Sequence, residues 1–179
     1  DPAYIQAARE MGRLLGGSGR TLVYAGGCVG VMGAVADAAM TAGGRVIGVI
    51  PQALVDLEVA HHGVSELRVV ASMHERKALM ADLAEGFVAL PGGIGTLEEF
   101  FEVWTWSQLG LHAKPCGLLN AAGFYDPLLA FMERLVGERF VQPEHRAMVV
   151  VDEDPATLLQ AMEAFCPPAL TKWIDRDES

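Results

Sequence analysis

Six short, predominantly apolar runs, set between stretches of helical periodicity and glycine-rich turns, restrict the folds open to this chain. The runs are Leu22 to Tyr24, Val46 to Ile50, Leu67 to Val70, Phe87 to Leu90, Cys116 to Asn120 and Met148 to Val151. Near-continuous apolar character marks strands whose sheet is covered on both faces. The helical stretches lie between them. Tyr4, Ile5, Ala8, Met11 and Leu15 recur at helical spacing until Gly16, Gly17 and Gly19 stop the pattern, and Val31 to Ala42 gives a second helix ended by Gly43 and Gly44. Ser72 with Glu75 forms a capping box for a helix to about Glu85, and Thr96 to Gln108 is another. Asp126-Pro127 and Asp154-Pro155 each read as a cap followed by an N1 proline. Pro51 to Ser65 reads as loop or broken helix. Strands alternating with helices pair in parallel, and right-handed crossovers then give a doubly wound α/β fold. With no repeat or linker, residues 1–179 read as a single domain.

Composition narrows the function classes. The formal net charge of −10 argues against a surface built for nucleic acid or an anionic membrane, both of which select clusters of Lys and Arg. Asp1 to Arg13 lacks the basic start and apolar stretch of a signal peptide, and no apolar run is long enough to span a bilayer, so the expected location is the cytoplasm. Cys28, Cys116 and Cys166 are widely spaced and read as small buried hydrophobes. His61, His62, His74, His112 and His145 show no metal-ligand spacing and read as surface or loop residues; no metal and no cofactor is expected. An anionic ligand would have to be held locally, by backbone amides and a few cations.

In a parallel sheet, ligands bind beyond the carboxyl ends of the strands, and three turns stand out there. Gly26 to Gly33 carries glycines, Gly26 and Gly27 first, that serve either close backbone approach to an anion or tight helix-to-strand packing. Pro91-Gly92-Gly93-Ile94-Gly95-Thr96-Leu97-Glu98-Glu99 follows a strand and opens a helix. Its glycines and helix N-terminus direct free N–H groups and a positive dipole end at one place, which suits a phosphate. The Gly-Lys-Ser/Thr ending of a Walker loop is absent, so a monophosphate fits better than a triphosphate. Thr96-x-x-Glu99 could also be a plain capping box, but a second acid, Glu98, adjoins Glu99 at the same crevice. The third turn, Met73-His74-Glu75-Arg76-Lys77, puts two cations at a helix N-terminus, where they oppose the macrodipole unless an anion joins them.

Together these residues resemble the Lonely Guy family, the cytokinin riboside 5′-monophosphate phosphoribohydrolases, whose members have often carried a mistaken lysine decarboxylase label. The resemblance runs from Asp1-Pro2-Ala3-Tyr4 through Arg76-Lys77 and Pro-Gly-Gly-x-Gly-Thr-x-x-Glu to Trp104-Thr105-Trp106 and Lys114-Pro115. It implies a Rossmann-like domain, usually a homodimer with sites near the interface, that hydrolyses N6-substituted AMP to free base and ribose 5-phosphate. It assigns catalysis to Arg76 and Glu99, and the phosphate loop to Gly92, Gly93, Ile94, Gly95 and Thr96. Lys77 is the neighbouring basic residue, and Glu58 and Thr105 fall on nucleotide-contacting positions; Met73, Glu98, Gly26 and Gly27 complete the expected substrate contacts. The family's first strand, which ends in a turn facing the nucleotide, would precede Asp1.

The chemistry requires one group for the cationic ribose and one for the anionic leaving base. Glu99 suits the first role, with activation of water, and Arg76 the second. Two other readings share the fold: a non-catalytic nucleotide or cofactor carrier, and a purine monophosphate nucleosidase without cytokinin preference. Pyridoxal-dependent decarboxylation would need a Schiff-base lysine with an acid facing the pyridine nitrogen, and no such motif surrounds Lys77.

Overall fold

The predicted alternation of strand and helix is present throughout the computed structural model, which describes residues 1–56 and 60–168. In chain order the elements are α1 (Pro2–Gly17), β1 (Leu22–Tyr24), α2 (Gly30–Thr41), β2 (Val46–Pro51), α3 (Gln52–Val55), β3 (Glu66–Val70), α4 (Met73–Leu83), β4 (Phe87–Ala89), α5 (Ile94–Gln108), β5 (Cys116–Leu119), a 3-10 turn (Ala121–Gly123), α6 (Asp126–Gly137), α7 (Pro143–Arg146), β6 (Val149–Asp152) and α8 (Pro155–Glu163). The Asp154 side chain caps α8 through the Thr157 N–H at 2.8 Å, as read from the sequence. Asp126 differs: it is the first residue of α6 rather than its cap, because its carboxylate is engaged by the Asn120 amide at 2.8 Å.

Among the described residues every strand pairing is parallel, and the strands form two sheets, β1-β2-β3 and β4-β5-β6. The expected sheet is thus divided at its middle. Within each half, successive strands are adjacent, with Leu22 opposite Val46 and Phe87 opposite Cys116. Edges β1 and β4 both line a cleft of about 1210 Å³, which also receives Met11, Val35, Phe100 and Met162 from the covering helices.

Strand β5 shows why its run is apolar on both sides. Cys116 and Leu118 enter a core with Phe100, Trp104, Tyr125, Met132 and Met148, while Leu119 enters a second core with Ala8, Met11, Val35 and Leu158. Successive side chains point to opposite faces, and helices cover both. The cysteine expectation holds for Cys116 but not for Cys28 and Cys166, which are exposed because each lies outside a strand or helix. His145 also departs from its surface assignment: it is buried in α7, and its carbonyl accepts the Trp104 indole N–H at 2.9 Å. Among the described residues, no helix is long and apolar enough to cross a membrane.

Candidate active site

The loop from Pro91 to Thr96 leaves β4 and enters α5. The helix begins at Ile94 with Gly93 as its N-cap, and no side chain caps it. Thr96 is therefore inside the first turn, so the capping-box reading of Thr96 and Glu99 does not hold. The amides of Ile94, Gly95 and Thr96 lack intrahelical acceptors, as first-turn amides must, and carry the positive end of the dipole. Gly92 packs against Thr96 so closely that a Cβ there would stand 2.3 Å from Thr96 Oγ1, which explains the glycine. Gly93 and Gly95 face open space.

Helix α4 supplies the cations. Ser72 caps it by accepting the Glu75 N–H at 3.1 Å, while Glu75 reaches back to the Ala71 N–H at 2.9 Å. That cap orients Arg76 and Lys77 toward α5. Arg76 is buried, pairs with Glu99, and has an Nε–H with no acceptor. Burial lowers the pKa of its guanidinium and the charge of Glu98 raises it; an arginine remains a cation at neutral pH. Lys77 donates to Glu98 at 2.6 Å and to Glu102 at 3.1 Å, and hydrogen bonds to these two carboxylates, Glu98 first, raise its pKa. Two ion-pair sets therefore join α4 to α5 side by side. They resolve the unfavourable position of two cations at the start of α4 by placing carboxylates opposite them.

Glu99, Lys77, Thr96, Gly92 and Gly93 all line the central cleft. The sequence placed these residues at one site, and the fold brings them together. It also brings in Glu102, which sequence reasoning missed; its i,i+4 spacing from Glu98 on one helix face was the available signal. Other expected contacts are placed differently. Met73 is 44% exposed at the start of α4 and Ile94 is 87% exposed at the start of α5. Thr105 is exposed and donates its hydroxyl to the Phe101 carbonyl at 2.7 Å, about 13 Å along α5 from Thr96 at the usual helical rise. Gly26 has φ +77, and a Cβ there would stand 3.1 Å from Ile50 Cβ. Its carbonyl accepts the His61 N–H at 2.8 Å, and Gly27 bridges Ala60. In this structure those two glycines serve tight packing. Glu58 lies outside the described residues.

A family model described as "possible lysine decarboxylase" matches residues 32–162. The cytokinin riboside 5′-monophosphate phosphoribohydrolase of Rhodococcoides fascians is 54% identical over 152 residues, covering 84% of this chain and 77% of that protein. The chain belongs to the Lonely Guy family. Plant members are nearly as similar: a probable phosphoribohydrolase of rice is 51% identical, with 92% of this chain and 73% of that protein aligned. An enzyme of Arabidopsis thaliana is 45% identical over 92% of this chain and 78% of its own. Among solved structures, a molybdenum cofactor binding protein from Rippkaea orientalis superposes with a TM-score of 0.70 at 21% identity, covering 92% of this chain and 88% of that one. That likeness shows that this Lonely Guy chain has the same α/β fold.

Proposed function

We propose that the chain hydrolyses the N-glycosidic bond of N6-substituted adenosine 5′-monophosphate, releasing the free base and ribose 5-phosphate. The observation that carries the reading is the Glu99 carboxylate, lining the cleft beside the uncapped N-terminus of α5 and paired with buried Arg76. The α5 amides and Lys77 hold the 5′-phosphate and so fix the ribose. As the C1′–N9 bond breaks, its electron pair leaves with the base and positive charge develops on the sugar. Glu99 stabilises that charge and takes a proton from the attacking water, whose oxygen bonds to C1′; that proton passes on to the departing base, which restores the carboxylate. Arg76, buried behind Glu99, supplies the positive charge that stabilises the departing side. Thr105 and Met73 are the residues proposed for the nucleoside end.

Incubation with AMP and with N6-isopentenyl AMP, followed by chromatography for free base, tests the reading. Release of base is the expected result, faster from the substituted substrate. Equal rates would make the chain a general purine nucleosidase; binding without release would make it a carrier.

Two further expectations belong to this reading. The active form is a homodimer, supported by the exposed apolar side chains of Val29, Met32, Met73 and Ile94 at the carboxyl ends of the strands; sedimentation of the purified chain measures it. A strand preceding Asp1 fills only the part of the cleft between β1 and β4 and leaves the end at Gly92 to Glu99 to the substrate, supported by the unpaired edges of β1 and β4 that line it. An apolar strand fused ahead of Asp1 would slow hydrogen exchange at Val23 and Val88, whereas the same extension interrupted by proline would not.

A further inference from the structure

The residue just ahead of the glycine loop is held by a side chain that follows a different strand. Tyr125, 2% exposed, donates its hydroxyl to the Leu90 carbonyl at 2.7 Å. Among the described residues it makes the only side-chain hydrogen bond to the stretch from Leu90 to Gly95. Sheet pairing does not do this work, because the β4 ladder ends with Ala89 opposite Leu118, and Pro91 has no N–H to donate. The direction of the Leu90 carbonyl sets the plane of the Leu90–Pro91 peptide, and from there the path of Gly92 and Gly93 into α5.

Tyr125 is fixed in turn from behind. Its N–H donates to Asn120 Oδ1 at 2.7 Å, and Asn120 Nδ2 donates to Asp126 Oδ1 at 2.8 Å. Its ring meets Phe124 edge-on, with centroids 4.9 Å apart. Between Asn120 and Tyr125 the chain passes through Ala122 at φ 51, a left-handed conformation that is costly for a residue with a side chain. Such strain persists only where the surroundings enforce it, and here the hydrogen bonds of Asn120 to Tyr125 and Asp126 do so. Burial raises the pKa of the Tyr125 hydroxyl to about 12, so it remains a donor throughout the working range.

We propose that Tyr125 is a positioning residue for phosphate binding: by locking the Leu90 carbonyl it holds the glycine loop so that the α5 amides converge on one phosphoryl group. The proposal rests on the phosphate-loop reading above, and Tyr125 itself touches no substrate.

Amide NMR of the full chain, titrated with AMP and separately with adenosine, tests it in wild type and in Tyr125→Phe. In wild type, AMP shifts the amide signals of Gly93, Ile94, Gly95 and Thr96. In Tyr125→Phe the affinity for AMP falls about tenfold, as loss of one buried hydrogen bond implies, while that for adenosine is unchanged. Asn120→Asp keeps an acceptor for the Tyr125 amide but sets a carboxylate against Asp126, and it shifts AMP affinity in the same direction. Three results overturn the proposal, and the first is distinguishable from the other two. If wild-type loop amides do not respond to AMP, the phosphate-loop reading falls and takes the proposal with it. If they respond but Tyr125→Phe binds AMP as wild type does, or loses AMP and adenosine alike, the loop reading stands and Tyr125 is merely structural.

Discussion

Arg76 and Glu99 form one ion pair across the contact of α4 and α5, and its halves are unequally exposed, at 8% and 27% of their side chains. The guanidinium is embedded and the carboxylate looks into the cleft. A buried cation tethered this way holds its partner in place, and the partner is the half that can meet a sugar carbon.

Glu99→Gln therefore separates charge from contact. Glutamine still accepts from Arg76, so melting temperature and AMP affinity change little, while base release falls by about 10²- to 10⁴-fold. Glu99→Leu leaves the guanidinium uncompensated and costs about 3–5 kcal/mol of stability by chemical denaturation. Unchanged turnover in Glu99→Gln would remove this residue from the chemistry.

The glycines of the loop from Pro91 to Thr96 are not equivalent. Gly92→Ala places a methyl group 2.3 Å from Thr96 Oγ1 and must displace the loop, raising KM for AMP, whereas the space beside Gly95 is open. Gly95→Ala should keep wild-type stability. Thermal melts and steady-state kinetics of the two variants, side by side, check the contrast.

In the proposed reading Lys77 meets the 5′-phosphate, and two carboxylates balance its charge. In Lys77→Gln the 5′-monophosphate loses a charged donor, and KM for AMP rises about 10- to 100-fold, with binding of unphosphorylated adenosine unaffected. A similar loss for both ligands would assign Lys77 to joining α4 and α5 instead.

Acid stability depends on two histidines. His112 donates Nε2–H to the Val103 carbonyl at 2.8 Å and accepts the Lys114 N–H at Nδ1 at 3.1 Å, which requires the neutral ring. Burial, the larger cause, and the charge of Lys114 lower its pKa from 6.5, and burial does the same to His145. The unfolded chain then takes up protons first as pH falls. Stability contributed by these rings is complete above about pH 6.5 and is lost as pH drops toward their folded pKa values. Denaturation midpoints between neutral and mildly acidic pH should decline, and His112→Gln should flatten the slope.

Local signals carried most of the fold. The β2, β5 and β6 runs declared a sheet covered on both faces, and the Ser72 and Asp154 caps were placed correctly because a cap is a bond between residues three apart. The start of α5 was harder to read. Thr96 looked like a cap because the Thr-x-x-Glu pattern does not say where the first helical hydrogen bond falls. Asp126 was misplaced for the same reason: its carboxylate had a partner, Asn120, that spacing alone does not reveal. Glu102 and Tyr125 escaped notice because each acts on a residue far away in the chain.

The sequence by itself determined the alternation of strand and helix, the glycine loop at a helix N-terminus, and which acids and cations could take part, since these follow from periodicity, backbone freedom and side-chain chemistry within a few residues. Only the tertiary structure decided that Arg76 takes Glu99, that Lys77 is shared by Glu98 and Glu102, and that Tyr125 holds Leu90. Partnerships across 20 or more residues depend on how helices pack over a sheet. No local pattern specifies that packing, because it is fixed by the burial of the whole core at once.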